Sequence, residues 1–240
     1  MPKKLKELKD EDLVILDVNK PKNNFIQPHP NLMPVPSITL FISPPASGKT
    51  LLLVNFIYRF YEGVFDEIYW CSPTLNLDNT LDSSIKKDET VIKISDAEDL
   101  ENISKIIKFI VESQKEKLDK GEELEDILIV LDDCISFVNG KELLKLCTMY
   151  RHLRISVFIS IQKMKLLNNT IRSCASNVIT FNIPNRKQRE AFLEEFDIFA
   201  DIDKYYDECT SEKYNWMRLD LRNMAVFHGG PSGIKLVYQK

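Results

Sequence analysis

Short apolar runs alternate with longer amphipathic segments through the middle of this chain. The apolar runs predict strands at 38–42, 67–71, 90–94, 127–132, 155–161 and 177–181. Helical spacing of apolar residues between several of these runs predicts helices at 49–61, 97–119, 140–150 and 163–174. Such alternation is typical of a mostly parallel central sheet with helices on both faces. We therefore predict an α/β fold.

The alternating region, residues 37–185, is flanked by segments of different character. Residues 1–36 have little periodicity and several prolines, so they predict an N-terminal arm that wraps the core or a neighbouring molecule. Residues 186–212 predict helix, and the tail from Trp216 to Gln239 predicts short strands with a hairpin near 228–231. We expect residues 186–240 to pack on the core as a C-terminal segment.

The junction between the first strand and the first helix has the sequence of a phosphate-binding loop. It comprises Ser43, Pro44, Pro45, Ala46, Ser47, Gly48, Lys49 and Thr50. The last four residues can direct backbone N–H groups at a β-phosphate, because a helix N-terminus has unpaired donors and a favourable dipole. Lys49 is expected to reach the β- and γ-phosphates, and the Thr50 hydroxyl to ligate Mg²⁺. The loop predicts binding of ATP with Mg²⁺.

The loop departs from the usual pattern G-x-x-x-x-G-K-[ST]. Ser43 replaces the first glycine, and Pro44 and Pro45 cannot donate hydrogen bonds because proline has no N–H. The four expected donors lie after the prolines, so we predict that the phosphate site forms around a stiffer bend. The alternative is a strand-to-helix turn with a lysine in the first helical turn.

Two carboxylates follow the most apolar predicted strand, 127–132. In open α/β sheets ligands bind beyond the carboxyl ends of the strands, which is where Asp132 and Asp133 lie. Asp132 is predicted to hold the Mg²⁺, and Asp133 to orient or deprotonate the attacking water. The alternatives are a strand-end turn for Asp132 and a helix N-cap for Asp133.

Gln162 follows the strand 155–161. P-loop proteins that insert an extra strand between the two Walker strands place a polar residue at the tip of that strand, facing the γ-phosphate. Gln162 fits that sensor position. The alternative is a solvated turn residue.

These motifs occur in an order that resembles a known family. The order is 43–50, the strand with Asp132 and Asp133, the Arg-His-x-x-Ile-Ser phrase at 151–156, the strand before Gln162, and Ile-Arg at 171–172. Over residues 36–184 it resembles the genome-packaging ATPases of nucleocytoplasmic large DNA viruses, virophages and Maverick-type elements, in the FtsK/HerA branch of P-loop motors. The resemblance implies the P-loop NTPase fold of the RecA-like (ASCE) type.

The same resemblance implies an activity and partners. It implies an ATP-hydrolysing motor that drives double-stranded DNA into a viral capsid. Such a motor is expected to form a homo-oligomeric ring, to contact a capsid or portal vertex protein, and to work in the host cytoplasm at viral assembly sites or in association with the virion.

Ring ATPases usually complete each site with a guanidinium from the neighbouring subunit, which stabilises charge on the transferred phosphoryl group. Arg172 is the preferred candidate, Arg151 is the second, and Arg154 is a third. The alternative for each is an ordinary surface ion pair.

Composition limits the remaining classes. The five cysteines have no C-x-x-C spacing, so we expect free thiols in a reducing compartment rather than a disulfide framework or zinc site. No run approaches the roughly 20 apolar residues of a membrane span, so we expect a soluble intracellular protein. A net charge of −4 disfavours a protein coated with nucleic acid, although residues 141–172 contain seven basic residues and one acidic residue.

Two other functional classes use the same loop. A small kinase would transfer the γ-phosphoryl group to a nucleotide or metabolite, and it would need an acceptor pocket and an arginine-rich lid. A nucleotide-binding assembly protein would bind without turnover. Both remain alternatives to the motor.

Overall fold

The computed structural model describes residues 26–75, 90–95, 102–134 and 139–240 of the chain. The strands are β1 (Ile38–Ile42), β2 (Glu67–Cys71), β3 (Val91–Ile94), β4 (Ile127–Asp132), β5 (Ile155–Ile161), β6 (Asn177–Thr180), β7 (Trp216–Asp220), β8 (Ala225–Gly230) and β9 (Gly233–Gln239). The helices are α1 (Lys49–Asn55, continued by a π-helical turn at Phe56–Phe60), α2 (Ile103–Lys120), α3 (Lys141–Met149), α4 (Asn169–Cys174), α5 (Arg186–Glu195) and α6 (Ile202–Thr210).

The strands form one sheet in the order β3-β2-β4-β5-β1-β6-β7-β8-β9. Pairing is parallel from β3 to β6 and antiparallel from β6 to β9. The mostly parallel α/β fold predicted from the sequence is confirmed. Strand β5 lies between β1 and β4, which is the inserted-strand arrangement expected from the sequence.

The core consists of two apolar clusters, one on each face of the sheet. Alternation along the strands divides their side chains between the two clusters, as period-2 geometry requires. Ile127, Ile129 and Leu131 of β4 join the cluster that packs against α2 to α6. Leu128 and Val130 join the cluster under α1 and the arm residues 32–35. Both faces of the central strands are therefore covered, as a parallel sheet needs.

Several predicted helices differ from the structure. The segment 163–174 is not one helix: a 3₁₀ turn at Met164–Leu166 precedes α4. The break occurs at Asn168, whose side-chain oxygen accepts a hydrogen bond from the N–H of Thr170 at 2.8 Å and so caps a new helix. The described part of the predicted helix 97–119 begins at Ile103, and residues 97–101 lie outside the described residues.

The C-terminal segment contains more structure than the sequence predicts. Residues 186–212 form two helices, α5 and α6, and the tail forms three antiparallel strands rather than one hairpin. The predicted hairpin is present as β8 and β9, which pair from Gly230 and Gly233 outward. Helix α6 packs against β7 and β8, so this segment lies on the core. No helix among the described residues is long and apolar enough to cross a bilayer.

A buried arginine joins the antiparallel extension to the rest of the fold. The Arg218 side chain on β7 is 1% exposed, donates hydrogen bonds to Asn177 Oδ1 at 3.1 Å and to the carbonyl of Asn31 at 3.2 Å, and lies over the Phe227 ring. Burial lowers the pKa of this guanidinium to about 10. The described arm residues are held further by the Tyr61 hydroxyl, which donates to the carbonyl of Met33 at 2.9 Å. The division into arm, core and C-terminal segment stays a prediction.

Replacing Gly229 by alanine should destabilise the C-terminal strands. A Cβ at this position would lie 2.1 Å from the Trp216 ring, so the indole must move from its buried position. We expect Gly229→Ala to lower the free energy of unfolding by on the order of 2 kcal/mol, measured by urea denaturation. Ser232→Ala on the exposed turn of the same hairpin is the control and should change it little; equal stability of both variants would contradict the close packing at Gly229.

Candidate nucleotide-binding site

The loop at residues 43–50 joins the carboxyl end of β1 to α1. Gly48 has φ 102°, a left-handed conformation that favours glycine, and it occupies the N-cap of α1. The first hydrogen bond of the helix runs from the N–H of Leu52 to the carbonyl of Gly48 at 2.9 Å. The preceding amides, including those of Lys49 and Thr50, therefore lack intrahelical acceptors and are available to an anion.

Lys49 lies over this loop with its side chain directed back along it. The Lys49 ammonium donates to the carbonyl of Ser43 at 2.9 Å and to that of Pro44 at 3.1 Å. Burial lowers the pKa of the ammonium, and the carboxylates of Asp133 and Asp132 act in the opposite direction. Lys49 thus lies within electrostatic reach of both carboxylates.

Ser43 forms hydrogen bonds with the ends of the neighbouring strands rather than facing the concave side of the loop. Its side chain is fully buried, and its hydroxyl oxygen accepts a hydrogen bond from the N–H of Phe181 at 2.9 Å. Its own N–H donates to the carbonyl of Ile161 at 3.1 Å. The hydroxyl therefore links the end of β1 to the end of β6, which a glycine cannot do, whereas the link to β5 uses the backbone N–H. Pro45 and Ala46 are exposed at the tip of the bend.

Thr50 and Asp132 are in direct contact. The Thr50 hydroxyl donates to Asp132 Oδ2 at 3.0 Å, although the two residues are 82 positions apart in the sequence. The other carboxylate oxygen, Oδ1, is buried and has no hydrogen-bond partner in the structure. Burial raises the pKa of the Asp132 carboxyl, while the nearby hydroxyls of Ser160 and Thr50 and the Lys49 charge oppose the rise. A hydroxyl and a carboxylate with a spare oxygen are the hard ligands that Mg²⁺ prefers, so these residues fit the ion.

Asp133 follows with φ 52°, an uncommon conformation for a residue other than glycine. Its N–H donates to the carbonyl of Ser160 on β5 at 3.2 Å, and its Oδ1 is buried without a hydrogen-bond partner in the structure. This conformation ends the extended strand at Asp132, and the Asp133 carboxylate remains close enough to Lys49 to act on the charge of its ammonium. Its role as general base stays a prediction. The alternative role as a helix N-cap concerns residues 135–138, which lie outside the described residues.

Gln162 directly follows β5 at the same edge of the sheet. It is half-buried and lines a cavity with Ile42 at the end of β1 and with Lys187 and Gln188 of α5. Strand β5 lies between β4 and β1 in the sheet, so Gln162 follows the strand that separates the two aspartates from the loop. Its sensor role stays a prediction.

Arg151 and Arg172 lie together, but at the other edge of the sheet. They line one pocket with the turn between β7 and β8, at the amino ends of the parallel strands, whereas residues 43–50 follow a carboxyl end. The Arg172 guanidinium is paired with Glu195 Oε2 at 2.8 Å, and Arg151 Nε donates to the Tyr150 hydroxyl at 3.3 Å. Neither arginine can reach the phosphate loop of its own chain without leaving this pocket.

Arg154, the third candidate, has a structural role. Its guanidinium forms two hydrogen bonds with the Asp126 carboxylate, and its carbonyl accepts from the N–H of Ile127. These bonds hold the start of β4 against the start of β5.

Sequence reasoning missed two residues that flank the loop, one directly after β6 and one in the C-terminal segment. Phe181 and Tyr214 both lie beside Gly48, at 3.7 Å and 3.4 Å from the position that a Cβ there would take. Tyr214 belongs to the connection between α6 and β7, more than 160 residues further along the chain. No local pattern indicates that this connection returns to the loop, since the antiparallel order of β6 and β7 determines it.

A family profile described as "Poxvirus A32 protein" matches residues 31–203, well over half of the chain. No curated protein sequence matches the chain.

Solved structures with the same fold have little sequence identity to this chain. The crystal structure of B204, described as the DNA-packaging ATPase from Sulfolobus turreted icosahedral virus, is 14% identical with a TM-score of 0.58, and the alignment covers 81% of this chain and 97% of B204. B204 from Sulfolobus turreted icosahedral virus 2 in complex with AMPPCP is 11% identical with a TM-score of 0.60, covering 82% and 98%. The pCW3 conjugation coupling protein TcpA with ATPγS is 14% identical with a TM-score of 0.55, covering 85% and 60%. These similarities show the P-loop NTPase fold.

Replacing Asp132 by asparagine should separate stability from metal binding. A carboxyl whose pKa is raised by burial destabilises the fold when it is ionised, so a neutral amide that still accepts the Thr50 hydrogen bond should stabilise the free protein. We expect Asp132→Asn to raise the melting temperature by a few degrees, which is about 1 kcal/mol for a chain of this size. It should also remove the additional stabilisation given by Mg²⁺ with ATP, measured by thermal denaturation.

Asp126→Asn provides the control, because Asp126 is a buried carboxylate paired with Arg154 rather than facing the loop. This variant should lower the melting temperature and keep the response to Mg²⁺ with ATP. A fall in the melting temperature of Asp132→Asn without ligand would contradict the unfavourable burial of its charge.

Proposed function

The chain belongs to the Poxvirus A32 protein family, and we propose that it is an ATP-hydrolysing motor that moves double-stranded DNA into a viral capsid. The observation that carries the proposal is the hydrogen bond between Thr50 and Asp132, which joins the end of the phosphate loop to the carboxylate at the end of β4. Family membership and the structural similarity to B204, described as a DNA-packaging ATPase, support this type of motor.

The residues of the site have separable roles in the proposed reaction. The amides from Ser47 to Thr50 bind the phosphates at the start of α1, and the Lys49 ammonium adds positive charge where the β- and γ-phosphates lie. Thr50 and Asp132 would hold Mg²⁺, and the ion would supply positive charge to the phosphate oxygens. Asp133 orients the attacking water and accepts its proton.

Gln162 and the arginines complete the proposal. Gln162 contacts the γ-phosphate from the tip of β5 and reports its loss to the rest of the sheet. Arg172, or Arg151 beside it, acts on the site of a neighbouring subunit in a homo-oligomeric ring, since both lie at the edge opposite to their own loop. The partners of the ring are double-stranded DNA and a capsid or portal vertex protein, and it works at viral assembly sites in the host cytoplasm or in association with the virion.

ATP turnover with and without long duplex DNA tests the motor. We expect the wild-type rate to rise when DNA is added, and Asp133→Asn to bind ATP normally while hydrolysing it at least about 100-fold more slowly, as loss of a general base predicts. Lys49→Ala, which removes the charge from the loop, should lose both binding and turnover.

Other outcomes of this measurement would overturn parts of the proposal. An unchanged rate in Asp133→Asn would remove Asp133 from the chemistry. Phosphorylation of a small acceptor would indicate a kinase, and tight binding without turnover by the wild type would indicate an assembly protein.

A mixing experiment tests whether Arg172 acts on a neighbour. Arg172→Ala should reduce turnover in the oligomer by on the order of 1,000-fold, the magnitude typical of an arginine that stabilises charge in phosphoryl transfer. Adding Lys49→Ala subunits should restore part of the rate, because they supply an intact arginine to an intact loop in the Arg172→Ala subunit.

Arg189→Ala is the matched control, since Arg189 forms a comparable ion pair with Asp207 at 2.6 Å on the surface. It should leave turnover unchanged. Absence of rescue in the mixed rings would argue against action in trans.

A further inference from the structure

A cavity of about 260 Å³, which opens to solvent, adjoins the phosphate loop at Gly48. One wall is the first two turns of α1, where Leu51 is 49% exposed. The opposite walls are the aromatic rings of Phe181, Tyr214 and Trp216 and the side chain of Ile234. The site described above uses none of these side chains.

Tyr214 holds an unfavourable backbone conformation to reach this position. Its φ is 69°, which is rare for a bulky aromatic residue, and its side chain is 48% exposed rather than packed in the core. Its ring lies beside Gly48, and the Lys213 ammonium is 4.8 Å from the ring centroid. Strained residues of this kind are concentrated where a ligand is held.

We propose that this cavity binds the nucleobase of the nucleotide whose phosphates the loop holds, and that Tyr214 is the residue on which the base stacks. The proposal rests on the proposed function, because it takes the occupant of the loop to be a nucleoside triphosphate. It adds the residues that distinguish a nucleotide from inorganic phosphate.

Continuity between the two sites supports a nucleobase rather than another apolar ligand. Gly48 belongs both to the loop that turns its amides toward phosphate and to the rim of the cavity, so one elongated ligand can occupy both. A planar base matches aromatic walls, since its π-face stacks on tyrosine or phenylalanine. Ligand pockets are typically apolar with few polar groups, and here Asn55 and Arg59 supply the polar rim.

Paired binding measurements on the full chain test the proposal. Affinities for ATP and for inorganic tripolyphosphate, each with Mg²⁺, should be measured by calorimetry. We expect Tyr214→Ala to weaken ATP binding about 10-fold or more, as loss of one stacking platform predicts, while tripolyphosphate binding stays unchanged. Tyr214→Phe keeps the ring and should bind ATP as the wild type does, whereas Lys49→Ala should lose both ligands.

Equal ATP affinity in Tyr214→Ala and wild type would overturn the role of Tyr214, and wild-type affinities for ATP and tripolyphosphate that are the same would overturn the cavity as a base site. A loss of both ligands in Tyr214→Ala would also count against it, since the ring would then act on the loop. If the ATP and tripolyphosphate affinities are as expected but the wild type does not hydrolyse ATP, the result would contradict the motor and still support the base site.

A second measurement requires no variant. Photolabelling of the wild type with 8-azido-ATP should attach the base to peptides containing residues 211–216 or 230–234, and excess ATP should suppress the labelling. Attachment confined to other segments would overturn the proposal even if a Tyr214 variant failed to fold.

Discussion

Parallel pairing of β1, β5 and β4 is the constraint on which the site depends. Ile42 at the end of β1 is paired with Ile161, and Ser160 of β5 is paired with Asp132. This register brings all three carboxyl ends to one level, so that the loop after β1 and the aspartates after β4 meet across the tip of β5. A shift of one residue in the pairing of β4 with β5 would turn Asp132 to the opposite face of the sheet, and a shift in the pairing of β1 with β5 would displace the loop, so either would break the contact with Thr50. Packing on both faces fixes the register, because each strand alternates between two separate apolar clusters.

The sequence predicts this part of the molecule well for a physical reason. Buried parallel strands are continuous apolar runs, and the loop and the aspartates occur where those runs end, so strand type, order and chemistry are all local signals. The break at Asn168 was missed because helical spacing continues through 163–174, although an asparagine is a strong helix cap. Tyr214 was missed for another reason: its place beside Gly48 depends on β7 pairing antiparallel to β6, and no residue near Tyr214 indicates that pairing.

Ser43 shows how a departure from the usual loop pattern can be accommodated. The first glycine of that pattern is replaced by a residue whose hydroxyl accepts from the N–H of Phe181, while its carbonyl accepts from the Lys49 ammonium. One residue thus fixes the end of β6 and the position of the lysine. Phe181 is held at the rim of both the loop and the adjoining cavity as a consequence. A serine in place of the usual glycine therefore adds a hydrogen bond that supports the loop, at a position whose N–H is not among the expected phosphate donors.

The residues proposed to take part in hydrolysis lie at the two opposite ends of the parallel strands. The carboxyl edge has the loop, Asp132, Asp133 and Gln162, whereas Arg151 and Arg172 are held at the amino edge. If an arginine completes a site, the amino edge of one subunit must face the carboxyl edge of the next, because the sheet separates the two edges within a chain. Where this contact repeats head to tail from one subunit to the next it is heterologous, and it then closes into a ring if the rotation between subunits allows it. A ring of this kind would give the proposed motor a central channel through which DNA could be threaded.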